Sequence, residues 1–548
     1  MVNNKLAYSV ALALLGYASH GLAQSAAELQ GTKPPQPLAT DSSAIPTFQA
    51  SPQATVQPGG ATVKLTSVTI VGNKSIATSV LLDLLGPVSG KSMDMASLTG
   101  LANAVGGYYR SSGYPFAQAF LPPQDLKQGT LRIQVIEGTY GSITAVGKDK
   151  LPEGAQRFLD YGLESGESIY NVQLERTLLI LDDQPGIKIN PAIKPGANQG
   201  QADLLVGVER ASYVSGEVGY DNTGARSTGE NRVHGDFSIN SPFKYGDKIA
   251  LSVMHTNEDM WLGSVNYESP IGASGLRGQF GFARTSYVLG GQFASLDAHG
   301  VANVTSAKLS YPLVRSQAAN VLLSAGIQHK ALQDDYRSTN VVRNKMSNGL
   351  PFGMQFDFRD SWLGGGVNYG SLTLLYGNIN LDPTLAAVDS ATARTKGSFN
   401  KLNFDVARIQ KVQGDVSIYG RYSGQWANKN LDASEKFNLG GYYGVRSFPI
   451  GEGSGDKGWF TQFELRMAMG SVTPFVFYDY GTSSSNTQPW DTNSGATRTI
   501  AGSGVGIRTI YDKWSIDGTI GWRNQGGLPL ADSVDHNPRV FVVMGRRF

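Results

Sequence analysis

Cysteine is absent from the 548 residues. A disulfide framework, a thiolate metal site and a cysteine nucleophile are therefore all excluded. Long hydrophobic runs are missing as well. Beyond the N-terminal stretch no apolar segment approaches the ~20 residues that a spanning helix needs, so the chain is not a helical membrane protein. Charge is sparse and balanced, with 46 basic against 44 acidic side chains and a formal net charge of +2. Nothing in that balance asks for nucleic acid or another polyanion as partner. His234, His255, His299, His329 and His536 lie far apart, with no H-E-x-x-H among them, so no metal or other cofactor is expected. "GPVSGKS" (86–92) has one residue too few between its glycines for a phosphate loop and follows a helical pattern rather than a strand, so it reads as a turn between helices. No nucleophile–base set or carboxylate pair stands out, and the chain is not expected to be an enzyme.

What is present is glycine, 67 residues or about 12% against a usual ~7%, together with 10% aromatics. That composition suits many strands and turns. Residues 1–23 combine Lys5, the short apolar stretch "LAYSVALALLGY" and a small-residue end at Ala23. They read as a secretory signal cleaved after Ala23. Residues 24–61 are rich in Pro, Ser, Thr and Ala and read as an extended linker, in which "SAAELQ" (25–30) is the one candidate for a short helix.

Residues 62–138 read β-α-α-β-β. "VKLTSVTIVG" and "GTLRIQVIEG" are strand-like, as is "YPFAQAFLP", whereas "SVLLDLL" and "MASLTGLANAVGGYYRSSG" carry helical spacing. Residues 139–210 return to the theme with strands at "YGSITAVG", "GIKINPAI" and "QADLLVGVE" and a helix around "VQLERTLLILDD". Two small α+β modules in tandem are expected.

From residue 211 the helical period gives way to alternation. In "WFTQFELRMAMG" (459–470), Trp459, Phe463, Leu465 and Met467 share one face, opposite Gln462 and Glu464. In "VTPFVFYDYG" (472–481), Val476, Tyr478 and Tyr480 oppose Phe475, Phe477, Asp479 and Gly481. In "WSIDGTIGWR" (514–523) the apolar face has a tryptophan at each end. Trp514 to Trp522 spans ~26 Å along a strand, or ~20 Å at a ~40° tilt, close to the spacing of the aromatic girdles of an outer-membrane barrel. Residues 211–548 divide into sixteen strand-plus-loop units of about 21 residues. A closed transmembrane barrel of 16 antiparallel strands follows, because closure satisfies every backbone polar group that lipid leaves unpartnered. The final strand ends at Phe548, with Arg546 on its apolar face near the interface.

"NLGGYYGVRSFPIGEG" (438–453) lies in the longest connection, between strands around 415–427 and 459–469. Its lone Arg446 has no local partner. Glu464 and Asp479 belong to the next two strands, and both point inward by alternation. A loop folded back into the lumen would let Arg446 satisfy both carboxylates, since a guanidinium fork makes several charge-assisted hydrogen bonds at once.

The chain resembles the TpsB transporters of two-partner secretion (FhaC-, ShlB- and CdiB-like), in the same superfamily as BamA. "VRSF" (Val445, Arg446, Ser447, Phe448) resembles the family's V-R-G-[YF] tip of loop 6, with Ser447 in place of glycine. "FYDYG", with Phe477, Asp479 and Gly481, resembles F-x-D-x-G. "GWFTQFELR" with its inward Glu464 and "DNTGARSTGENR" (221–232) add to it. The resemblance implies two periplasmic POTRA modules, a barrel in the outer membrane of a Gram-negative bacterium and a re-entrant loop 6. It further implies ATP-free export of one large, unfolded TpsA exoprotein, such as an adhesin, haemolysin or contact-dependent toxin, by a monomer. The modules would capture the partner's secretion domain, with "YPFAQAF" (Tyr114, Phe116, Phe120) as the candidate edge for strand addition. A BamA-like assembly factor is the alternative; a passive porin would explain neither the modules nor the loop.

Overall fold

The computed structural model describes residues 34–37 and 55–548 except Asn493. The expected signal and the "SAAELQ" turn lie outside the described residues.

The first module runs β1 (Val63–Lys64), β2 (Ser67–Val71), α1 (Thr78–Leu85), β3 (Ser92–Met93), α2 (Met95–Ser111), β4 (Gln118–Phe120) and β5 (Thr130–Ile136). β2 pairs parallel with β5 and β4 antiparallel, so the sheet order is β2-β5-β4. The Asp94 side chain caps α2 by accepting from the Ser97 amide, satisfying one of the helix's orphan donors. Leu98, Ala102, Val105 and Tyr109 then fall on one face and pack against Leu131, Ile133 and Val135. "GPVSGKS" is the turn between α1 and α2, held where β3 pairs with β1.

The second module repeats this path with β6 (Thr139–Gly147), α3 (Leu151–Gly162), α4 (Asn171–Asp182), β7 (Ile187–Pro195) and β8 (Gln201–Arg210), in the order β6-β8-β7. Helix α3 is not apparent in the sequence, because Pro152 and Gly154 interrupt its period. Pro152 sits in its first turn, where a missing N–H costs nothing, the Gly154 amide donates to the Lys150 carbonyl at 3.3 Å, and Leu151, Ala155, Phe158 and Leu159 form its buried face.

Sixteen antiparallel strands, β9 (Val214–Asp221) to β24 (Arg539–Arg547), close into a barrel. Side chains sort as the alternation requires. Phe463, Leu465, Met467, Val476, Tyr478, Trp514 and Trp522 are exposed on the outside, whereas Gln462, Glu464, Phe477 and Asp479 are buried inside. Arg546 faces outward and its guanidinium lies 5.6 Å from the Trp514 ring centroid, so its charge sits at the rim among aromatics. The closing seam is short, from Val543 opposite Asp221 to Arg547 opposite Glu217. Phe548 extends it by exchanging two backbone hydrogen bonds with Gly216.

The second module docks on the turns at the near rim of the barrel. Asp183 accepts a fork from Arg315 at 2.7 and 2.8 Å, and Arg176 donates to the Pro312 carbonyl at 2.7 Å. Inside the lumen, Gln355 of β16 (Val341–Asp360) donates to the Gln36 carbonyl at 3.3 Å.

Candidate functional site: an arginine latch in the lumen

β19 (Val416–Ala427) and β20 (Lys457–Met467) are joined by loop 6, residues 428–456. The loop turns inward, and its middle residues Leu439, Val445, Arg446, Ser447 and Phe448 are buried. Gly441 lets the descending chain reverse at φ 109°, a conformation that side chains resist. Val445 and Phe448 pack with Leu439, Phe460 and Ile500 in a small apolar cluster against the wall. The loop backbone is also held by wall side chains: Gln462 donates to the Gly444 carbonyl and Arg421 to the Tyr443 carbonyl, each at 2.8 Å.

This seating aims Arg446 at the inner faces of β20 and β21 (Val472–Ser484). Its Nε and backbone amide donate to Asp479 Oδ2 at 2.8 and 3.0 Å, and Nη2 donates to Oδ1 at 2.7 Å. Nη1 donates to Glu464 Oε1 at 2.5 Å. The guanidinium stacks 3.8 Å from the Phe477 ring centroid. Glu464 takes two further cations, Arg508 at 2.7 Å and Arg466 at 2.7 Å. Arg446 and Asp479 are 2% and 0% exposed. Charges buried that deeply persist only when paired and hydrogen-bonded, and here every strong donor and acceptor on both sides is engaged.

Gly481 supplies room. A Cβ there would lie 2.8 Å from Phe460 Cβ and 3.1 Å from Leu439 Cδ2. Ser447, where the resembled motif has glycine, is not among the residues with positive φ, so its side chain brings no backbone strain. Its hydroxyl is buried without a hydrogen-bond partner, and it fits because β22 (Thr497–Tyr511) offers Gly502, whose added Cβ would come within 1.9 Å of Ser447 Oγ. "AGSGVG" (501–506) lies within β22. Gly502 receives the loop tip, and Gly504 and Gly506 lie under the Phe477 and Phe475 rings. Alternation already places Gln462 on the inward face beside Glu464, whereas Arg421 and Arg508, on β19 and β22, are brought to the site by barrel register.

"DNTGARSTGENR" lies at the seam. Asn222 donates to the Val540 carbonyl at 3.0 Å and accepts from the Val542 amide at 2.7 Å. Asp221 accepts from Arg232 at 2.8 Å.

The proposed edge strand is shorter than the sequence reading. Only Gln118–Phe120 pairs in the sheet. Tyr114 precedes it and its ring is wedged 5.8 Å from Tyr109 and 5.3 Å from Tyr170. Phe116 packs against the second module's core. Both aromatics are consumed at the junction between modules, and Phe120 alone of the three lies on the edge strand. Among the described residues no group of three metal-ligating side chains occurs.

A family model described as haemolysin secretion/activation protein ShlB/FhaC/HecB matches residues 200–509, and one for a ShlB-type POTRA domain matches residues 63–138. The heme/hemopexin transporter protein HuxB of Haemophilus influenzae is 28% identical over 446 residues, 79% of this chain and 78% of its own. The outer membrane transporter CdiB of Escherichia coli is 24% identical over 450 residues, 80% of this chain and 74% of its own. The solved structure of CdiB from Escherichia coli superposes with a TM-score of 0.70 at 20% identity, covering 91% of this chain and 94% of that one, and shares its fold. A family match that spans most of the barrel, preceded by a POTRA domain of the same type, makes this chain a member of the ShlB/FhaC/HecB family, the outer-membrane transporters of two-partner secretion, with its POTRA modules in the periplasm and a secreted TpsA-type protein as its partner.

Proposed function

We propose that the barrel conducts one large TpsA exoprotein, of the adhesin, haemolysin or contact-dependent toxin kind, as an unfolded chain and without ATP. Folding of the partner outside the cell supplies direction. The chain acts as a monomer seated in outer-membrane lipid, and nucleic acid has no part in it. The observation that carries this reading is the pinned loop 6: a segment that fills part of the lumen and is held by side-chain contacts to the wall, rather than by a continuous strand, blocks the passage at rest and can yield it. The modules capture the partner's secretion domain, with strand addition on Gln118–Phe120 as the mode, because β4 is an edge of its sheet and an edge leaves backbone donors and acceptors open.

Deletion of the gene tests the reading against an assembly factor for other barrels. One large exoprotein, encoded beside this gene, is expected to vanish from the cell surface and medium while other outer-membrane barrels keep their abundance. A general loss of barrels would replace export by assembly.

A further inference from the structure

Loop 6 is held at a second place, by carboxylates of its own that meet lysines of the wall. A short helical turn, Ala433–Glu435, carries Asp432 and Glu435 into the lumen near the outer ends of β15 (Ala319–Tyr336), β16 and β18 (Gly397–Gln413). Glu435 receives Lys330 at 2.7 Å, Lys401 at 2.9 Å and the Ser347 hydroxyl at 3.2 Å. Asp432 receives Lys345 at 3.1 Å, and Lys345 also reaches Asp334 at 3.9 Å. Lys345, Lys401 and Glu435 are all buried. The site also recognises the peptide unit beside the carboxylate, because Lys401 Nζ and Gln425 donate to the Glu435 backbone carbonyl at 3.0 and 3.1 Å.

We propose that Lys330, Lys345 and Lys401 form an exchange site for carboxylates: at rest it holds Asp432 and Glu435 of loop 6, and once the loop moves it takes acidic side chains of the polypeptide in transit. This rests on the export reading. The charge count gives the reason. Three lysines face Asp334, Asp432 and Glu435; without the loop's two carboxylates only Asp334 remains against three lysines, an excess of two positive charges in a confined lumen. Uncompensated buried charge is costly, so the vacated site attracts the nearest anion. The ligand class follows from the present occupant, an acidic residue in irregular backbone, read through its carboxylate and its own carbonyl. Ammonium groups suit exchange better than guanidinium forks, since they are compact point charges with no fixed planar geometry to satisfy.

The test uses purified full-length protein in planar bilayers, with hexaglutamate added on the loop side and hexaglutamine as the neutral control. Glu435→Gln empties part of the site. Its current is expected to be blocked by hexaglutamate at a concentration about tenfold below that needed for the unaltered protein, hexaglutamine having no effect. Adding Lys330→Met and Lys401→Met to Glu435→Gln should return the block to the unaltered level. Asp432→Asn, which uncovers Lys345, is the second variant, with a smaller shift in the same direction. Equal block of all proteins, or block that survives loss of the lysines, would overturn the proposal. No exported partner is present in this measurement, so its failure is separable from failure of the export reading, which the gene deletion addresses.

Discussion

The arginine latch and the joint between the modules are both buried carboxylate sites that join separate parts of this molecule, and they are built from opposite chemistry. In the lumen, Asp479 and Glu464 hold loop 6 through a cation, Arg446. At the joint of the periplasmic modules, Glu137 is 5% exposed and has neutral donors alone in its hydrogen-bonded shell: the Lys74 and Ser75 amides at 2.6 and 2.7 Å, and the Ser75, Tyr109 and Ser168 hydroxyls at 2.7, 2.8 and 2.9 Å. Ser168 belongs to the second module and the other donors to the first. A guanidinium with its fork engaged fixes one geometry and stays charged at any physiological pH. A carboxylate ringed by amides and hydroxyls fixes its joint equally well but loses its hold when it takes up a proton. The first suits a part that must stay shut until something displaces it; the second suits a joint whose angle is built in.

The sharpest way to break the lumen side is Arg446→Ala. It leaves Asp479 and Glu464 without the loop's cation, and removing one partner of a buried ion pair costs about 3–5 kcal/mol. Exoprotein in the medium is expected to fall more than tenfold, while heat-modifiable migration on gels shows a normally inserted barrel. Arg446→Lys keeps the charge but not the fork and should fall between. Export at the unaltered level by the alanine variant would remove the latch from the mechanism.

Geometry can be separated from charge by Gly502→Ala. The new methyl would sit within 1.9 Å of Ser447 Oγ, so the tip must shift at an overpacking cost of about 1–3 kcal/mol with every charge in place. Export should drop less than in Arg446→Ala, and Ser447→Gly added to Gly502→Ala should recover it. A double variant no better than the single one would show that the tip does not need this seat.

The lumen half of the comparison was legible in the sequence, and the joint was not. Glu464, Asp479 and Arg446 could be placed because strand alternation assigns a face to each wall residue and the glycine-rich loop left one cation unexplained. Lys330 and Lys345 come from paired neighbouring strands and Lys401 from a third, and their meeting with Glu435, some 34 residues or more along the chain, depends on barrel register and on the path of loop 6, which no local pattern records. Tyr114 and Phe116 read as an edge strand because aromatic alternation looks the same whether a ring faces solvent or a neighbouring module. Helix α3 was hidden by Pro152 and Gly154, whose harmless placement at the helix start shows only in three dimensions. Glu137 follows the strand β5 with no charged neighbour to flag it, since its partners are backbone amides and hydroxyls.

On the joint side, Glu137→Gln exchanges one acceptor oxygen for a donor that faces other donors. Hydrogen bonds to a charged group are worth about 1.5–3 kcal/mol each, so a loss of about 2 kcal/mol in the closed joint is expected. It should appear as faster hydrogen exchange at the Lys74 and Ser75 amides in the full-length protein.

The smallest expected effect is one of pH, and it separates the two chemistries most directly. Burial alone would raise the Glu137 pKa, but the Ser75 and Lys74 amides and the Ser75 and Tyr109 hydroxyls outweigh it and hold it below the ordinary value of 4.5. Burial and the same contact with Glu137 push the Tyr109 hydroxyl up, so it remains a donor throughout the range considered. A depressed carboxylate pKa contributes stability that is fully present above the unfolded-state value and is lost as pH falls through the folded one. The joint is therefore steady above about pH 4.5 and loosens progressively below it. Protection of the Lys74 and Ser75 amides, corrected for intrinsic exchange, should decline over that acid range in the unaltered protein and stay flat in Glu137→Gln. A decline of equal size in both would place the acid sensitivity in some other group and leave the joint without its titrating carboxylate.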